Sequence, residues 1–450
     1  MQNKQEELFR NSKVWTAIIK MAIPAMISMV VMIFYNMADM FFVGQIGDTA
    51  QVAAVSIVGP VFTVMMAIGT MLGGGGCVLI AKTLGEKDDS KVKLYSSLCC
   101  WGSLLFGFIF TVLTLLFSTP LLHFLGANED IWDYAKTYLT VLALGAPVMV
   151  FATGFGSVIR AEGAIKEGLI GNLLSTVTNI ILDPIFIIGL HLGVSGAAIA
   201  TVIGNAVGAV YFIYYVKKKE TNFTLDIRYA KQDPWAIGRI LAIGVPNAAN
   251  SVLVGFASAF SNRLLVQYGT NAVAAMAAAG KSTMMISMIQ MGICMGVQPL
   301  LAYCYGDKNV ARIRETLIKL SVLTIGIGVS VTVLCLVNSQ TVIALFLKEP
   351  EALALGQQMI SVLVLSGPFL GLYYIGSNFL QASGNAPLAT LVSLLRQGIF
   401  LIPLLFIMNT MFGIKGNVLA NVTADIAAAV VAVILALRQY KLLSKDKIYN

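Results

Sequence analysis

Ala81-Lys82-Thr83-Leu84-Gly85-Glu86-Lys87 closes one long apolar run, and 221 positions later Ala302-Tyr303-Cys304-Tyr305-Gly306-Asp307-Lys308 closes another. The correspondence extends both ways. Pro24 in MAIPAMI matches Pro246 in LAIGVPNAA, and Gln45-Ile46-Gly47 matches Gln267-Tyr268-Gly269, both at an offset of 222. Pro147 matches Pro368, and Arg160-Ala161-Glu162-Gly163 matches Gln381-Ala382-Ser383-Gly384. Gly193-Val194-Ser195-Gly196-Ala197 matches Gly413-Ile414-Lys415-Gly416-Asn417 at an offset of 220. So small a drift over half the chain marks an internal repeat, which has to be read before anything else.

The 450 residues are 58% hydrophobic and 12% charged, with a mean hydropathy of +0.83. Soluble domains carry about 25% charge, so this chain cannot cover a water-facing surface. Soluble enzymes, nucleic-acid binders and disordered chains are excluded. At ~20 apolar residues per membrane-crossing helix, twelve spans fit, from 15–44 to 416–437. The reading is an all-α polytopic membrane protein with two lobes of six helices, 1–216 and 237–450, joined by the polar connector KKKETNFTLDIRYAKQDPWA at 217–236. An even number of spans per half inserts both halves in one orientation, a parallel repeat about an axis along the membrane normal. Two such lobes facing each other leave a central cleft, an arrangement that favours alternating-access transport.

Charge sets the topology. Of 30 Lys and Arg, 23 fall in the termini and in alternate connectors, whereas the opposite loops hold Lys136, Lys348 and Lys415. The positive-inside bias places both termini in the cytoplasm. The net charge of +8 is then a membrane signal, with anionic headgroups as partners and no nucleic acid. Six cysteines without CxxC spacing, and His123 and His191 at span ends, form no metal pattern. The first span has no signal-peptide cleavage pattern.

Ionisable groups inside spans are costly and mark function by default. Well inside are Asp39, Asp183 and Asp425, with Arg263, Lys281 and Arg396 as the cations. At 1.5 Å per residue, Asp39, Asp183 and Thr201 lie ~9, ~12 and ~9 Å from the outer ends of spans 1, 5 and 6. Asn179 precedes Asp183 by one helical turn, as Asn36 precedes Asp39. Two carboxylates, amides and a hydroxyl form an oxygen-rich set that suits Na⁺ or a proton on a desolvated carboxyl. The alternative is plain interhelical hydrogen bonding, against which two acids in one layer weigh.

In the second half Asp39 maps to Ser261 and Asp183 to Pro403, while Thr201 and Asn205 map to Asn421 and Asp425. Asp425, Arg396 and Asn421 form a candidate polar site there, either an Arg396–Asp425 ion pair or a second protonation or substrate-charge site. Lys281 and Arg263 have no partner legible in the sequence. Gly73–Gly76 lack the strand and GK[ST] of a phosphate loop and read as close helix packing. The methionines around Met284, Met285, Met288, Met291 and Met295 suit either packing or an adaptable substrate surface.

YNMADMFFVGQIG in span 1, AKTLGEKD, RAEGAIKEG, NIILDPIFI, GVSGAAIATVIGN, MGICMGVQPLLAYCYGDKN and LQASGNAP together resemble the multidrug and toxic compound extrusion (MATE) transporters over nearly the whole chain. The DinF-like and MepA-like bacterial branch is the most similar. The resemblance implies two six-helix lobes with a V-shaped cleft in a bacterial cytoplasmic membrane. It implies a monomeric antiporter, not an enzyme, that exports amphipathic, often cationic small molecules against H⁺ or Na⁺ without a cofactor. Asp39, Asn179, Asp183 and Thr201, with Asn36 beside them, match the branch's cation site. Where relatives carry an acid in span 8 this chain has Met295, with Gln298 nearby. Tyr35, Met288, Met291, Met295 and Gln298 are candidate cleft residues. The alternative function is a flippase for a lipid-linked precursor. An intramembrane aspartyl protease would require a GxGD motif, and Asp183 sits instead in LDP.

Overall fold

The structure, a computed structural model, describes residues 7–46, 48–218, 221–344, 346–347 and 349–446; the side chains of Asn36, Asp39, Met40, Thr49 and Asp446 lie outside that set. Among the described residues the elements are helical throughout, and 12 helices are long and apolar enough to cross a membrane. We number these α1 (Val14–Gly44), α2 (Thr49–Gly85), α3 (Asp89–Leu116), α4 (Glu129–Ile159), α5 (Ile165–Gly189), α6 (Gly193–Lys218), α7 (Ile237–Leu265), α8 (Thr270–Gly306), α9 (Val310–Val337), α10 (Pro350–Ala382), α11 (Ala386–Phe412) and α12 (Ile414–Asp446).

The repeated motif is a corner between two helices. After Gly85 and after Gly306 the chain turns through a lysine with positive φ, Lys87 at 60° and Lys308 at 54°. Asp88 N–H then closes on the Thr83 carbonyl at 3.1 Å, and Asn309 N–H on the Cys304 carbonyl at 2.9 Å. The same two residues cap the next helix, Asp88 accepting from the Lys91 N–H at 3.1 Å and Asn309 from the Arg312 N–H at 3.0 Å. A left-handed residue ends one helix and an N-cap starts the next, which is why the motif survives in both halves.

The prolines repeat with their compensation. Pro147 in α4 and Pro368 in α10 cannot donate to the carbonyls four residues earlier, those of Ala143 and Val364. Thr111 Oγ1 of α3 donates to the Ala143 oxygen at 2.5 Å, and Thr332 Oγ1 of α9 donates to the Val364 oxygen at 2.8 Å. Gln290 Nε2 of α8 reaches the neighbouring Gly367 oxygen at 2.8 Å. A bent helix in an apolar interior needs its orphan carbonyls satisfied by side chains from adjacent helices.

The chain divides into two compact units by contact, Ile27–Ala248 and Leu8–Met26 with Ala249–Asn450. The sequence boundaries of 1–216 and 237–450 differ from these units at the N-terminal ends of α1 and α7, which exchange partners. Small residues explain the exchange. A Cβ on Gly75 would fall 1.9 Å from the Ile240 oxygen, so α7 seats its N-terminal end directly on α2. A Cβ on Gly296 would fall 2.8 Å from the Met21 oxygen, so α1 seats its N-terminal end on α8.

In the first unit α4 is the buried centre, packed by α2, α3 and α6. Gly73–Gly76 are its packing hub: Cβ atoms there would strike Gly154 of α4, Asn247 and Ile240 of α7, and Cys99 of α3. The connector is fixed to this unit. Ser97 Oγ donates to the Asp226 oxygen at 2.7 Å, Trp101 Nε1 to the Leu225 oxygen at 2.9 Å, and Thr224 N–H to Ser96 Oγ at 3.1 Å. In the second unit α8 and α10 form the centre. Its N-terminal turn buries Phe9 completely against Tyr303, ring centroids 5.1 Å apart.

Candidate functional site

In the first unit Asn179 and Asp183 of α5 meet Thr201 of α6. All three are buried, and Asp183 has no exposed surface. With the Asn179 amide turned so that its nitrogen faces the carboxylate, Nδ2 donates to Asp183 Oδ2 at 3.0 Å and Oδ1 accepts from the Thr201 N–H at 3.1 Å. The opposite orientation gives only long bonds, Nδ2 to Asp183 Oδ1 at 3.4 Å and to Thr201 Oγ1 at 3.3 Å. We adopt the first, because a carboxylate demands a donor. Thr201 donates its own hydroxyl to the Ala197 oxygen at 2.9 Å, which turns the Oγ1 lone pairs outward as acceptors.

The approach of α5 to α6 depends on Gly204 and Gly208, a small-xxx-small pair one turn and two turns below Thr201. A Cβ on Gly204 would lie 2.7 Å from the Ser175 oxygen and 3.0 Å from Asn179 Cβ. Without these glycines Asn179 could not reach α6. Beyond Pro184 the helix widens into a π turn over Ile185–Gly189, a deviation that frequently accompanies functional sites. The side chains of Asn36 and Asp39 lie outside the described residues, and Tyr35 is half-buried on α1.

In the second unit Arg396 and Asp425 form the ion pair that was one of the two readings of these charges on adjacent spans, Nε to Oδ1 at 2.8 Å. Arg396 sits on the π-helical segment Leu395–Phe400 of α11. Its guanidinium lies 4.8 Å from the Tyr373 ring centroid and 5.7 Å from that of Tyr374. Its Nη1 donates to Tyr374 Oη at 3.4 Å, and that oxygen is 2.8 Å from Ser287 Oγ. Side chains of α8, α10, α11 and α12 are thus joined in one network. Asn421 stands apart from it: its amide donates to the Asn417 oxygen of its own helix at 2.9 Å.

Met288, Met291 and Met295 are half-buried on one face of α8, whereas Gln298 is buried and donates to Gln381 Oε1 at 2.6 Å. Lys281 is exposed, 5.7 Å from the Phe346 ring, and Arg263 is exposed on α7. Sequence reasoning missed the glycine pair, although GNAVG is legible in α6. It also missed two tyrosines spaced by one turn, Tyr211 and Tyr215, that bind Glu167 and the buried Glu162 in the first unit.

The comparisons with known proteins agree with this architecture. The MatE family model matches residues 24–185 and 246–407, one copy in each half of the repeat. The chain is 33% identical to "Multidrug export protein MepA" of Staphylococcus aureus (strain MSSA476) over 422 residues, 93% of this chain and 92% of that protein. It is 32% identical to the protein of the same name from Staphylococcus saprophyticus, over 93% of this chain and 92% of that one. A crystal structure of MATE in complex with MaD3S superposes with a TM-score of 0.92 at 25% identity, covering 98% of this chain and 99% of that one. A twelve-helix membrane protein built from two copies of one matched module, this chain belongs to the MatE family.

Proposed function

We propose that this chain is a secondary active exporter of amphipathic, often cationic small molecules, driven by inward H⁺ or Na⁺ and working by alternating access in a bacterial cytoplasmic membrane with both termini inside. The observation that carries this reading is Asp183, a carboxyl without exposed surface, held by Asn179 beside Thr201. Removing a carboxylate from water is costly, so the site favours a state in which a proton or Na⁺ has neutralised it. The names of the relatives, multidrug export proteins, support export of drug-like molecules as the task performed. Asp39 and Asn36 are assigned to the same site from their places in span 1, and Tyr35 to its approach. Cation binding there changes the local charge of α5 and α6 and biases the transport equilibrium. The chain acts as a monomer among membrane lipids, performs no catalysis and uses no cofactor.

The experiment is efflux of a panel of dyes from proteoliposomes under Na⁺ and pH gradients imposed separately. One gradient alone should drive export, and Asp39→Asn and Asp183→Asn should each abolish it while the protein stays folded. Full ion-dependent efflux by both variants would overturn the mechanism. Lipid flipping without dye transport would favour the flippase instead.

A further inference from the structure

The last span outruns its repeat partner. In the first half the chain has left the α6 helix by residue 221, whereas α12, aligned at the repeat offset of 220, stays helical to 446. Its 33 residues extend ~50 Å at 1.5 Å per residue, against ~30 Å for the hydrocarbon core of a bilayer. Counted from Ile414, Arg438 lies ~36 Å along the axis and Lys445 ~46 Å. The extension therefore stands at headgroup depth, in the leaflet that the C-terminus faces.

One side of this end is docked and the opposite side is open. Ala432 and Ala436 are buried. A Cβ on Gly376 of α10 would lie 2.8 Å from the Ala432 oxygen, and Gln439 Oε1 accepts from Asn385 Nδ2 at 3.2 Å. Half a turn round the helix, Arg438, Lys441 and Lys445 fall within roughly 60° of arc, and all three are exposed. Val430, Ile434 and Leu437, each more than half exposed, continue the same side toward the membrane centre. Ile434, Leu437, Arg438, Lys441, Leu442 and Lys445 line one cavity of about 460 Å³, within the roughly 300–1,000 Å³ of small-ligand sites.

The three cations have no acid to answer them. Lys82, Lys91 and Lys319 each meet a carboxylate one turn away, but among the described residues none lies within ion-pair distance of Arg438, Lys441 or Lys445. Like charges on successive turns of a helix repel each other, and a bound anion relieves that repulsion. An anion held at headgroup depth, directly above a row of exposed apolar side chains, has the form of a phospholipid.

We propose that this end of α12 is a binding site for one anionic phospholipid. Its phosphodiester sits among Arg438, Lys441 and Lys445, and an acyl chain follows Leu437, Ile434 and Val430. The guanidinium can take two phosphate oxygens at once, while the ammonium groups act as point charges. A zwitterionic lipid brings a cation of its own, which these three side chains repel.

The test titrates the purified full chain in a neutral detergent with dioleoyl phosphatidylglycerol or dioleoyl phosphatidylcholine and counts bound lipids by native mass spectrometry. One phosphatidylglycerol should bind ahead of all others. Arg438→Gln/Lys441→Gln/Lys445→Gln should weaken that first event by about 100-fold, or about 5-fold for each cation removed. Phosphatidylcholine binding and the melting temperature should stay unchanged, which shows that the variant is folded. The charge-keeping Arg438→Lys/Lys441→Arg/Lys445→Arg should retain the first event. So should Lys217→Gln/Arg228→Gln/Lys231→Gln, which removes the same charge elsewhere. Equal losses in the two glutamine triples would reduce the effect to net charge and overturn the site, as would no loss in the first. Displacement of the lipid by millimolar glycerol phosphate would assign the cations to a soluble anion and overturn the lipid as occupant.

Discussion

Asp425→Ala isolates the Arg396–Asp425 ion pair of the second unit. It leaves the Arg396 guanidinium, only 9% exposed, without its 2.8 Å partner. Removing one member of a buried pair costs about 3–5 kcal/mol, because the surviving charge stays desolvated. Some compensation is in place: the faces of Tyr373 and Tyr374 lie 4.8 and 5.7 Å away, and cation–π contacts contribute about 0.5–2 kcal/mol. Tyr374 Oη, at 3.4 Å from Nη1, is too distant to replace a carboxylate. The expected net loss is about 2–4 kcal/mol. For a unit of about 200 residues that lowers the unfolding midpoint by roughly 5–15 °C. The double variant Arg396→Met/Asp425→Leu should recover most of this, since an apolar replacement of a buried pair is often neutral or stabilising. The assay is thermal unfolding in one detergent of wild type, both single variants and the double, analysed as a cycle. An Asp425→Ala protein within about 0.5 kcal/mol of wild type, or a double variant that loses the sum of the singles, would refute the argument that desolvated charge dominates.

Other consequences follow from the same geometry. Thr111→Val and Thr332→Val leave the Ala143 and Val364 oxygens unsatisfied beside Pro147 and Pro368, and each should destabilise the protein by about 1–3 kcal/mol; Thr→Ser at the same positions should restore most of the melting temperature. Gly204→Val forces α5 from α6, costing about 1–3 kcal/mol through overpacking; ion-dependent efflux should fall further than stability does, as judged by comparing transport with melting. Ser97→Ala with Trp101→Phe removes two bonds that hold the connector, each worth about 1 kcal/mol, so limited proteolysis within 221–232 should speed up by about 10- to 30-fold. Phe9→Ala empties a fully buried site and should cost about 3–5 kcal/mol, measured by chemical unfolding.

Much of this was legible without coordinates. Span count follows from hydropathy because the bilayer forces every crossing segment to be long and apolar. The repeat was legible because its corners need particular residues: a turn lysine and an Asp or Asn cap recur at Lys87-Asp88 and Lys308-Asn309. The pairing of Asn179 with Asp183 followed from helical spacing, and Arg396 with Asp425 from the scarcity of charge in adjacent spans. These are local rules or rules of exclusion, and they act on sequence alone.

Which helix faces touch is a different kind of fact. Tertiary structure alone showed that Gly204 brings Asn179 to Thr201, that Thr111 and Thr332 answer the two prolines, and that the N-terminal ends of α1 and α7 pack in each other's unit. It also separated Gln298, locked to Gln381, from the open methionine face of the same helix. The physical reason is that apolar helices in a membrane look alike in hydropathy. Their partners are chosen by steric fit at small residues and by single hydrogen bonds between distant positions. The repeat and the twelve spans were therefore written in the sequence by local chemistry, whereas the sites were assembled by packing between residues far apart along the chain.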